Sequence, residues 1–278
     1  MFIIVVAVGI FILISYCHYK RSDYYEKTKK SFTEVTFNKG TKGEYKTFQG
    51  LEKVRGYHQL LYNCYIPKLR GGYTEVDLVM VHTTGIYVFE SKNIGGWIFG
   101  NEHYQQWTQV LPAKHYKSQK NKFYNPLFQN QGHIRNLSRF LNLDEEYFHS
   151  FIVFSNRCVF KKLEVKSKQH MIVKQGQLDA AVNHEIRKQK ECFSTNGVDQ
   201  IVEKLKTSMD VNEQIKKEHI KEVKARAKGK AVIVGRELRC PYCNSKLVVR
   251  RVKQGPHAGR KFYGCSNYPR CRFTKNIS

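Results

Sequence analysis

The chain has 278 residues, with 48 Lys and Arg against 23 Asp and Glu, and a net charge of +25 at neutral pH. This length allows one medium-sized domain and a small module, and an aromatic content of 13% excludes a disordered basic tail. The excess of positive charge indicates a polyanionic partner, either a nucleic acid or an anionic membrane surface.

The N-terminal segment, residues 1–19, contains the apolar run FIIVVAVGIFILI and has no acidic residue, lysine or arginine. A run of this length is at the lower edge of what spans a bilayer. A cleaved signal peptide would need a basic residue before the run and a small-x-small cleavage site, and the segment has neither. Because Lys20 and Arg21 follow directly, the positive-inside rule predicts a single-pass anchor in the cell membrane with the bulk of the chain in the cytoplasm. Residues 20–37 are polar and are predicted to be a juxtamembrane spacer.

Residues 38–209 are predicted to form an α/β domain with a mixed β-sheet flanked by helices. Its predicted helices lie at about 42–54, at 127–141 and in two stretches of 177–209; its predicted strands lie at 60–66, on both arms of 75–92, in short pieces of 93–107, at 151–154 and at 171–173. Residues 113–124 are polar and are predicted to be an exposed loop, and Trp97 and Trp107 are expected to pack in the core or at a sheet edge.

The segment EVDLVMVHTTGIYVFESK, residues 75–92, predicts a β-hairpin around which this domain is organised. Apolar residues alternate along the first arm, Gly85 permits the positive φ of a turn, and the second arm is β-branched and aromatic. The second arm ends in Glu90 and Lys92, which the two-residue period of a strand places on the same face. A solvated salt bridge at a strand end would explain this pair without any chemistry.

The other interpretation of the hairpin is a metal-dependent centre for phosphodiester chemistry. Asp77 and Glu90, on neighbouring strands, could hold Mg²⁺, which prefers oxygen ligands. The metal would polarise a phosphate and lower the pKa of a bound water. Lys92 would orient that water or neutralise the charge that develops in the transition state.

The spacing of Asp77, Glu90 and Lys92 resembles the PD-(D/E)xK nuclease core, although Val76 stands where that motif has proline. Four blocks, GEYKTFQ, EVDLVMVHTTGIYVFESKN, GGWIFG and NPLFQNQ, resemble in this order the nuclease-related (NERD) domain over roughly residues 38–155. The resemblance implies a restriction-endonuclease-like core.

The same resemblance implies two further site residues. Glu44, in the first block, would be an acidic residue that faces the metal, and Gln129, in the last block, would border the active site. Glu44 could equally be a partner of the helix dipole on a solvated face. His133 is interpreted as a surface histidine and is left out of the metal site.

Residues 210–237 are charged and predict a helical linker, and residues 238–278 contain two pairs of cysteines, Cys240 with Cys243 and Cys265 with Cys271. Four thiolates suit tetrahedral Zn²⁺. Because so short a module cannot build an adequate core, metal binding would supply its folding energy. The other cysteines are scattered, which favours a reducing compartment over a disulfide framework.

The string CPYC…KLVVRR…GRKFYGCSNYPRCRFTK resembles the four-cysteine zinc ribbon of bacterial type IA topoisomerases over nearly all of residues 238–276. From Cys240 onward there are nine Lys and Arg and no Asp or Glu, interleaved with aromatic residues. This mixture is typical of binding to single-stranded nucleic acid, although packing around the zinc would explain each ring individually. The candidate nucleic-acid-binding residues are Arg250, Arg251, Arg260, Lys261, Phe262, Tyr263, Arg270 and Arg272.

Together these features predict a membrane-anchored protein that hydrolyses DNA with Mg²⁺ and binds single-stranded or junction-like DNA through a zinc ribbon. Topoisomerase activity is not expected, because the chain has no room for that catalytic body. A first alternative is a non-catalytic, membrane-tethered scaffold with a nuclease-like fold. A second is a membrane-surface protein whose charge attracts anionic lipid.

Overall fold

The structure is a computed structural model of the chain. It describes residues 2–69, 71–113, 118–209, 213–227, 232–234, 237–240, 245–268 and 273–277. The chain divides into two compact units, Met1–Ile66 with Glu75–Asp210 and Pro67–Thr74 with Val211–Ser278.

The first unit combines helices with two β-sheets. The helices are α1 (Phe2–Lys20), α2 (Asp23–Thr28), α3 (Phe32–Phe37), α4 (Lys39–Leu51), α5 (Pro126–Leu141), α6 (Leu178–Ile186) and α7 (Thr195–Lys206). The strands are β1 (His58–Pro67), β2 (Tyr73–His82), β3 (Gly85–Lys92), β4 (Gly96–Asn101), β5 (Gln106–Leu111), β6 (Gln119–Tyr124), β7 (Phe148–Phe154), β8 (Cys158–Glu164) and β9 (His170–Lys174).

The larger sheet has the strand order β1-β2-β3-β7-β9. The predicted hairpin is confirmed: β2 and β3 pair antiparallel from Leu78–Phe89 to His82–Gly85, and Gly85 takes a φ of 143°. Strands β3, β7 and β9 run parallel to one another, so the sheet is mixed, as predicted. Asp77 and Glu90 are the residues just beyond the last described pair of the hairpin.

Helices cover both faces of this sheet, which confirms the predicted flanking layers. On one face, Phe48 of α4 and Leu178 of α6 pack with residues of the sheet such as Met80. On the other face, Leu137 of α5 and Val202 of α7 pack with a second set of strand residues. This arrangement fixes α4 and α5 on opposite sides of the end of β3, where the candidate site lies.

The smaller sheet has the order β6-β5-β4-β8. The prediction of a loop over 113–124 is wrong for β6, which pairs antiparallel with β5 from Gln119 to Tyr124; residues 114–117 lie outside the described part of the chain. The strand was missed because its outward positions are lysines, which are uncommon in strands. Trp107 is buried, as expected, whereas Trp97 is 37% exposed.

The N-terminal helix differs from the predicted anchor. Across the residues that the structure describes, we find no helix with the length and apolar character needed to cross a membrane, so the transmembrane prediction for residues 1–19 is not supported. The predicted spacer, residues 20–37, instead contains α2 and α3. It folds because Tyr19 and Tyr24, both buried, belong to the same core cluster as Phe48.

The second unit contains α8 (Glu213–Ala227) and the strands β10 (Val232–Val234), β11 (Glu237–Arg239), β12 (Leu247–Arg251), β13 (Lys261–Cys265) and β14 (Thr274–Asn276). Strand β10 lies within residues 210–237, which were predicted to be helical, and it pairs antiparallel with β11. Strands β12, β13 and β14 form an antiparallel sheet within the cysteine module.

Candidate functional site

Strand β3 and helix α5 bring the first group of candidate residues together. Glu90 and Lys92 come from the end of β3. Helix α5 begins at Pro126, one residue before the predicted start, and the Asn125 side chain accepts a hydrogen bond from the Leu127 amide at 2.9 Å. Residues four positions apart share a helix face, which explains how α5 presents two side chains to the end of β3.

Glu90 is the centre of this group and is only 1% exposed. Its Oε1 accepts a hydrogen bond from Lys92 Nζ at 2.7 Å, and its Oε2 lies 3.2 Å from His133 Nε2. Burial favours the neutral acid, but Lys92 and His133 together outweigh it and leave the pKa of Glu90 below its usual value. The Glu90 carboxylate is therefore held as an anion in a buried position.

Lys92 is fixed by two acceptors. Its Nζ donates to Glu90 Oε1 and also to Gln129 Oε1, at 3.0 Å. This contact brings Gln129, which the sequence resemblance placed beside the site, into direct contact with the candidate lysine. The Gln129 amide oxygen is therefore a second acceptor for the Lys92 ammonium group, and it adds no charge to the site.

Asp77 lies on the neighbouring strand, in a different environment. Its carboxylate accepts a long hydrogen bond, 3.5 Å, from the backbone amide of Ser91. Burial, the nearby Glu90 and the nearby Glu44 raise the pKa of Asp77 well above its usual value, and Lys92 opposes them only in part. A second cation at this position would relieve the crowding of negative charge.

Glu44 lies in the second turn of α4, because the helix begins at Lys39 and not at about residue 42 as predicted. Its Oε2 accepts hydrogen bonds from Lys30 Nζ at 2.7 Å and from Tyr24 Oη at 3.2 Å. It also acts electrostatically on Asp77, so it faces the carboxylate cluster and is more than a dipole partner on a solvated face. The residues that hold it belong to α2 and to the connection between α2 and α3, which the sequence predicted to be a spacer.

Gly43 sets how closely α4 approaches β3. A methyl group on Gly43 would lie 2.5 Å from Asn93 Cβ and 3.3 Å from Ser91 Oγ. The carbonyl of Gly43 accepts a hydrogen bond from Thr47 Oγ1 at 3.0 Å, inside the helix. Glycine at this position therefore allows the helix, and with it Glu44, to pack directly against the strand that carries Glu90.

A fourth carboxyl group, Glu75, was not predicted as a site residue. It accepts a hydrogen bond from the Tyr65 hydroxyl at 3.0 Å. Burial raises the pKa of Glu75; the Tyr65 hydrogen bond opposes that shift, and Glu44 adds to it. Glu75 is thus part of the same acidic cluster, at its edge towards β1.

The side chains of the acidic cluster fit Mg²⁺ only in part. No group of three or more His, Cys, Asp or Glu side chains that could hold a metal is found among the described residues. The donors are nevertheless of the type that Mg²⁺ takes, because this ion is commonly bound by one or two carboxylates and keeps several waters. Of the two predicted ligands, Asp77 has the weaker set of hydrogen bonds and the raised pKa that a divalent cation would lower.

The structure describes two of the four predicted zinc ligands of the cysteine module, Cys240 and Cys265. Cys240 and Cys265 are buried and form a small core with Leu247. Cys265 Sγ accepts a hydrogen bond from the Asn267 amide at 3.4 Å, a contact that suits a thiolate. Cys243 and Cys271 lie outside the described residues.

The predicted nucleic-acid-binding residues that the structure describes lie on β12, on β13 and in the turn between them. Tyr263 packs against the cysteine core, which is the structural explanation foreseen for such rings. Arg250 pairs with Phe262 across the strands, and its guanidinium lies 5.4 Å from the ring centre of Tyr268. Arg251, Arg260 and Lys261 are exposed, whereas Arg270 and Arg272 lie outside the described residues.

Two residues near the site escaped the sequence interpretation. His133 is buried against Glu90, so its assignment as a surface histidine was wrong. Asn130, also buried, donates to the Val88 carbonyl at 2.9 Å and to Ser150 Oγ at 2.8 Å, which ties α5 to β3 and β7. The available signal was helical spacing, because His133 follows Gln129 by one turn of α5.

The two domains have recognisable relatives. Residues 39–155 match the family model of the nuclease-related domain, NERD. Residues 237–278 match the family model of the topoisomerase DNA-binding C4 zinc finger. Residues 39–155 and 237–278 are therefore similar to a NERD domain and to a topoisomerase-type zinc ribbon, as the sequence motifs indicated.

Two curated proteins are similar to the chain. An uncharacterized protein of Bacillus anthracis is 27% identical over 185 residues, which cover 66% of this chain and 82% of that protein. DNA topoisomerase 1 of Archaeoglobus fulgidus is 42% identical over 69 residues, which cover 25% of this chain and only 7% of the topoisomerase. No match to a solved structure was found.

Proposed function

We propose that the NERD domain is a Mg²⁺-dependent nuclease that hydrolyses phosphodiester bonds of DNA, and that the zinc ribbon helps to hold the nucleic acid. The observation that carries the proposal is the convergence of Asp77, Glu90 and Lys92 at the end of one hairpin, with opposite pKa shifts in the two carboxyl groups. Opposed shifts of this kind are typical of catalytic carboxylates.

In this proposal each side chain has a separate task. Mg²⁺ bound by Asp77 and Glu90 would polarise the scissile phosphate and lower the pKa of a bound water. Lys92, held by Glu90 and Gln129, would neutralise the negative charge that develops on the phosphate as the water oxygen attacks. One phosphorus–oxygen ester bond breaks as the new bond to water forms, and the leaving oxygen takes a proton.

The positions of Glu44 and His133 support this division of tasks. His133 holds the second oxygen of Glu90, so the carboxylate cannot rotate freely towards solvent. Glu44, paired with Lys30, adds negative charge beside Asp77 and so strengthens the attraction for a cation. Glu44 is a positioning and electrostatic residue in this proposal.

The test is cleavage of end-labelled single-stranded and duplex DNA by the full chain in Mg²⁺, with EDTA as the metal-free condition. We expect Asp77→Asn to abolish cleavage while DNA binding persists. The matched control is Asp144→Asn, which removes an exposed carboxylate outside the site. Equal cleavage by Asp77→Asn and the unchanged chain would overturn the catalytic assignment.

A second candidate function is a non-catalytic scaffold that binds DNA through a nuclease-like fold. The lack of a three-ligand metal group in the described part of the chain favours it. This alternative predicts DNA binding with no Mg²⁺-dependent cleavage of any substrate, and it predicts that Asp77→Asn leaves every measurable property except stability unchanged.

Zinc in the ribbon is a structural cofactor in this proposal. Cys240, Cys243, Cys265 and Cys271 would bind it as thiolates, and the two described ligands lie together in the module's small core. Arg250, Arg251, Arg260 and Lys261 would contact phosphates, because no acidic residue is present from Cys240 onward to compete for them.

Attachment of α1 to a membrane is a separate proposal. Its support is the exposure of the apolar side chains from Ile4 to Ile14, followed by Lys20 and Arg21. The test is flotation of the full chain with neutral phosphatidylcholine vesicles at high salt, which screens the attraction of the basic surface. A variant without residues 2–14 should stay at the bottom of the gradient; equal flotation of both proteins would overturn the proposal.

A further inference from the structure

The smaller sheet of the first unit has one covered face and one open face. The covered face carries Ile98 and Trp107, which pack in the core with Phe154. Because side chains alternate along a strand, the residues directly before and after Ile98 and Trp107 point to the other side of the sheet. Two rows of paired residues lie on that side: Lys120, Val110, Trp97 and Val159, followed by Lys122, Thr108 and Phe99. The register of β4 and β8 shifts after Ile98, so that Lys162 is the residue opposite Phe99. Val110 is buried, at 7% exposure.

The open face mixes exposed apolar groups with positive charge. Trp97, on the inner strand β4, is 37% exposed, and Val159, on the edge strand β8, is 46% exposed. Lys161 Nζ lies 5.1 Å from the centre of the Trp97 ring. The sheet spacing places Lys120 about 10 Å from Trp97, two strands away.

Ion pairs among the described residues neutralise only part of the positive charge on this face. Lys162 pairs with Glu164 at 3.0 Å. Lys120, Lys122 and Lys161 are exposed and form no ion pair with any residue that the structure describes. Three ammonium groups that have no carboxylate partner among the described residues, one of them in contact with the Trp97 ring, fit a ligand that combines repeated negative charges with flat aromatic rings.

The open face also lies close to the candidate site. Trp97 follows Lys92 by five residues, so the two Cα atoms are separated by at most about 18 Å. The connection is tied down at both ends, because the Ser155 amide donates to the Lys92 carbonyl at 3.1 Å and the Gly96 amide donates to the Arg157 carbonyl at 3.3 Å. A strand bound on this face could therefore continue into the site.

We infer that the open face of the smaller sheet, centred on Trp97 and surrounded by Lys120, Lys122 and Lys161, binds single-stranded nucleic acid. A base stacks on the Trp97 ring, and the lysines contact the flanking phosphates. The inference rests on the proposal that the domain's ligand is nucleic acid, but it needs no cleavage. A duplex would not provide an unpaired base to stack on the ring.

The first test uses the fact that the chain has two tryptophans, of which Trp107 is 1% exposed and donates its indole N–H to the Asn101 carbonyl at 3.0 Å. Titration of the full chain with a thymine oligonucleotide, without Mg²⁺, should quench tryptophan emission. The Trp97→Phe variant should show no quenching, because its remaining indole is enclosed. Binding by anisotropy without quenching would overturn the inference and leave the zinc ribbon as the binding surface.

The second test measures the salt dependence of oligonucleotide binding. Each phosphate contact contributes about 0.7 to the slope of log K against log salt for single strands. Replacing Lys120, Lys122 and Lys161 by Gln should therefore lower the slope by about 2. The control replaces three exposed lysines elsewhere in the unit, Lys188, Lys190 and Lys206.

Equal slopes for the two triple variants would contradict the inference. Quenching of Trp97 by anionic lipid vesicles but not by the oligonucleotide would also overturn it, since the face would then be a membrane surface. If the oligonucleotide quenches Trp97 as expected but the protein does not cleave DNA, the inference stands and only the proposed catalytic function is wrong.

Discussion

Nε2 of His133 lies 3.2 Å from Oε2 of Glu90, and both side chains are buried. Lys92 holds the other oxygen of the same carboxylate. These contacts keep the pKa of Glu90 below its usual value, whereas the pKa of Asp77, one strand away, is raised. The site thus contains one carboxyl group fixed as an anion and one that carries an unfavourable charge until a cation arrives.

Replacing His133 by Phe should lower both stability and activity. The hydrogen bond to Glu90 is lost, and the buried carboxylate keeps one partner fewer. This loss should lower the free energy of unfolding by about 1–3 kcal/mol. The pKa of Glu90 rises, so the acidic limb of the pH–rate profile should move to higher pH. In the unchanged chain the stability from Glu90 is present above its unfolded pKa, about 4.3, and is lost as the pH falls through the folded value.

Rescue by a hydrogen-bond donor makes this prediction specific. His133→Gln should recover part of the activity and return the acidic limb towards its original position. His103→Phe, at an exposed position, is the control for loss of an imidazole. An unchanged acidic limb in His133→Phe would mean that the histidine only fills space.

Asp77→Asn should stabilise the protein at neutral pH in EDTA. Because burial and neighbouring carboxylates raise the pKa of Asp77, the native state holds its proton more tightly than the unfolded chain does. Stability of the unchanged chain therefore falls as the pH rises from the ordinary Asp value, about 3.9, towards the raised one. Thermal melts at several pH values should show the variant's advantage growing with pH and vanishing in acid.

Addition of Mg²⁺ should reverse the order of thermal stability, so that the unchanged chain melts at a higher temperature than Asp77→Asn. Binding to the native state raises the melting temperature of the unchanged chain, while Asp77→Asn, which lacks one carboxylate, should respond weakly. If both proteins respond equally, the ion binds elsewhere.

The sequence was sufficient for the features that depend on local pattern. The hairpin of β2 and β3, the extent of α5 to within one residue and the pairing of Glu90 with Lys92 follow from the alternation of apolar residues, the helical period and the strand period. The partners of these residues could not be predicted in the same way. His133 reaches Glu90 across 43 positions of the sequence, and only the packing of α5 on the sheet brings the two together.

The N-terminal region was misjudged for a related reason. Polar and basic residues between Tyr19 and Phe37 suggested a spacer, but the tyrosines among them supply large apolar surfaces with only one polar atom each. Tyr19 packs edge-on against Tyr45 with ring centres 5.3 Å apart, and its hydroxyl donates to the Lys30 carbonyl at 2.6 Å. Composition alone does not show that such residues form a core.

This packing predicts where the N-terminal segment can be cut. Tyr19→Ala should destabilise the first unit by about 3–5 kcal/mol, as for other buried aromatic residues. Tyr16→Ala, in the same helix but 40% exposed, should have a much smaller effect. Removal of residues 2–14 should leave the melting temperature nearly unchanged, whereas removal of residues 2–19 should lower it. Equal melting of the two truncated proteins in a thermal scan would contradict the role of Tyr19.

The zinc ribbon should unfold without its ligands while the NERD domain stays folded. Cys240→Ser with Cys265→Ser removes the two cysteines of the small core and should abolish zinc binding. The slope of log K against log salt for single-strand binding should fall, because the module carries nine cations. Bound zinc is measured by a metal-release assay, with Cys192→Ser, at an exposed cysteine, as the control. Retained zinc in the double variant would exclude these two residues as ligands.

The close packing at Gly43 has a consequence for the chemistry of the site. A side chain at this position would have to push α4 away from Ser91 and Asn93, and Glu44 would move with the helix. The field of Glu44 on Asp77 depends on their separation, so the charge balance of the acidic cluster is adjustable from a residue that has no side chain at all. Substitution of Gly43 by Ala should therefore tune the affinity for a divalent cation through distance alone, with every charged group still present.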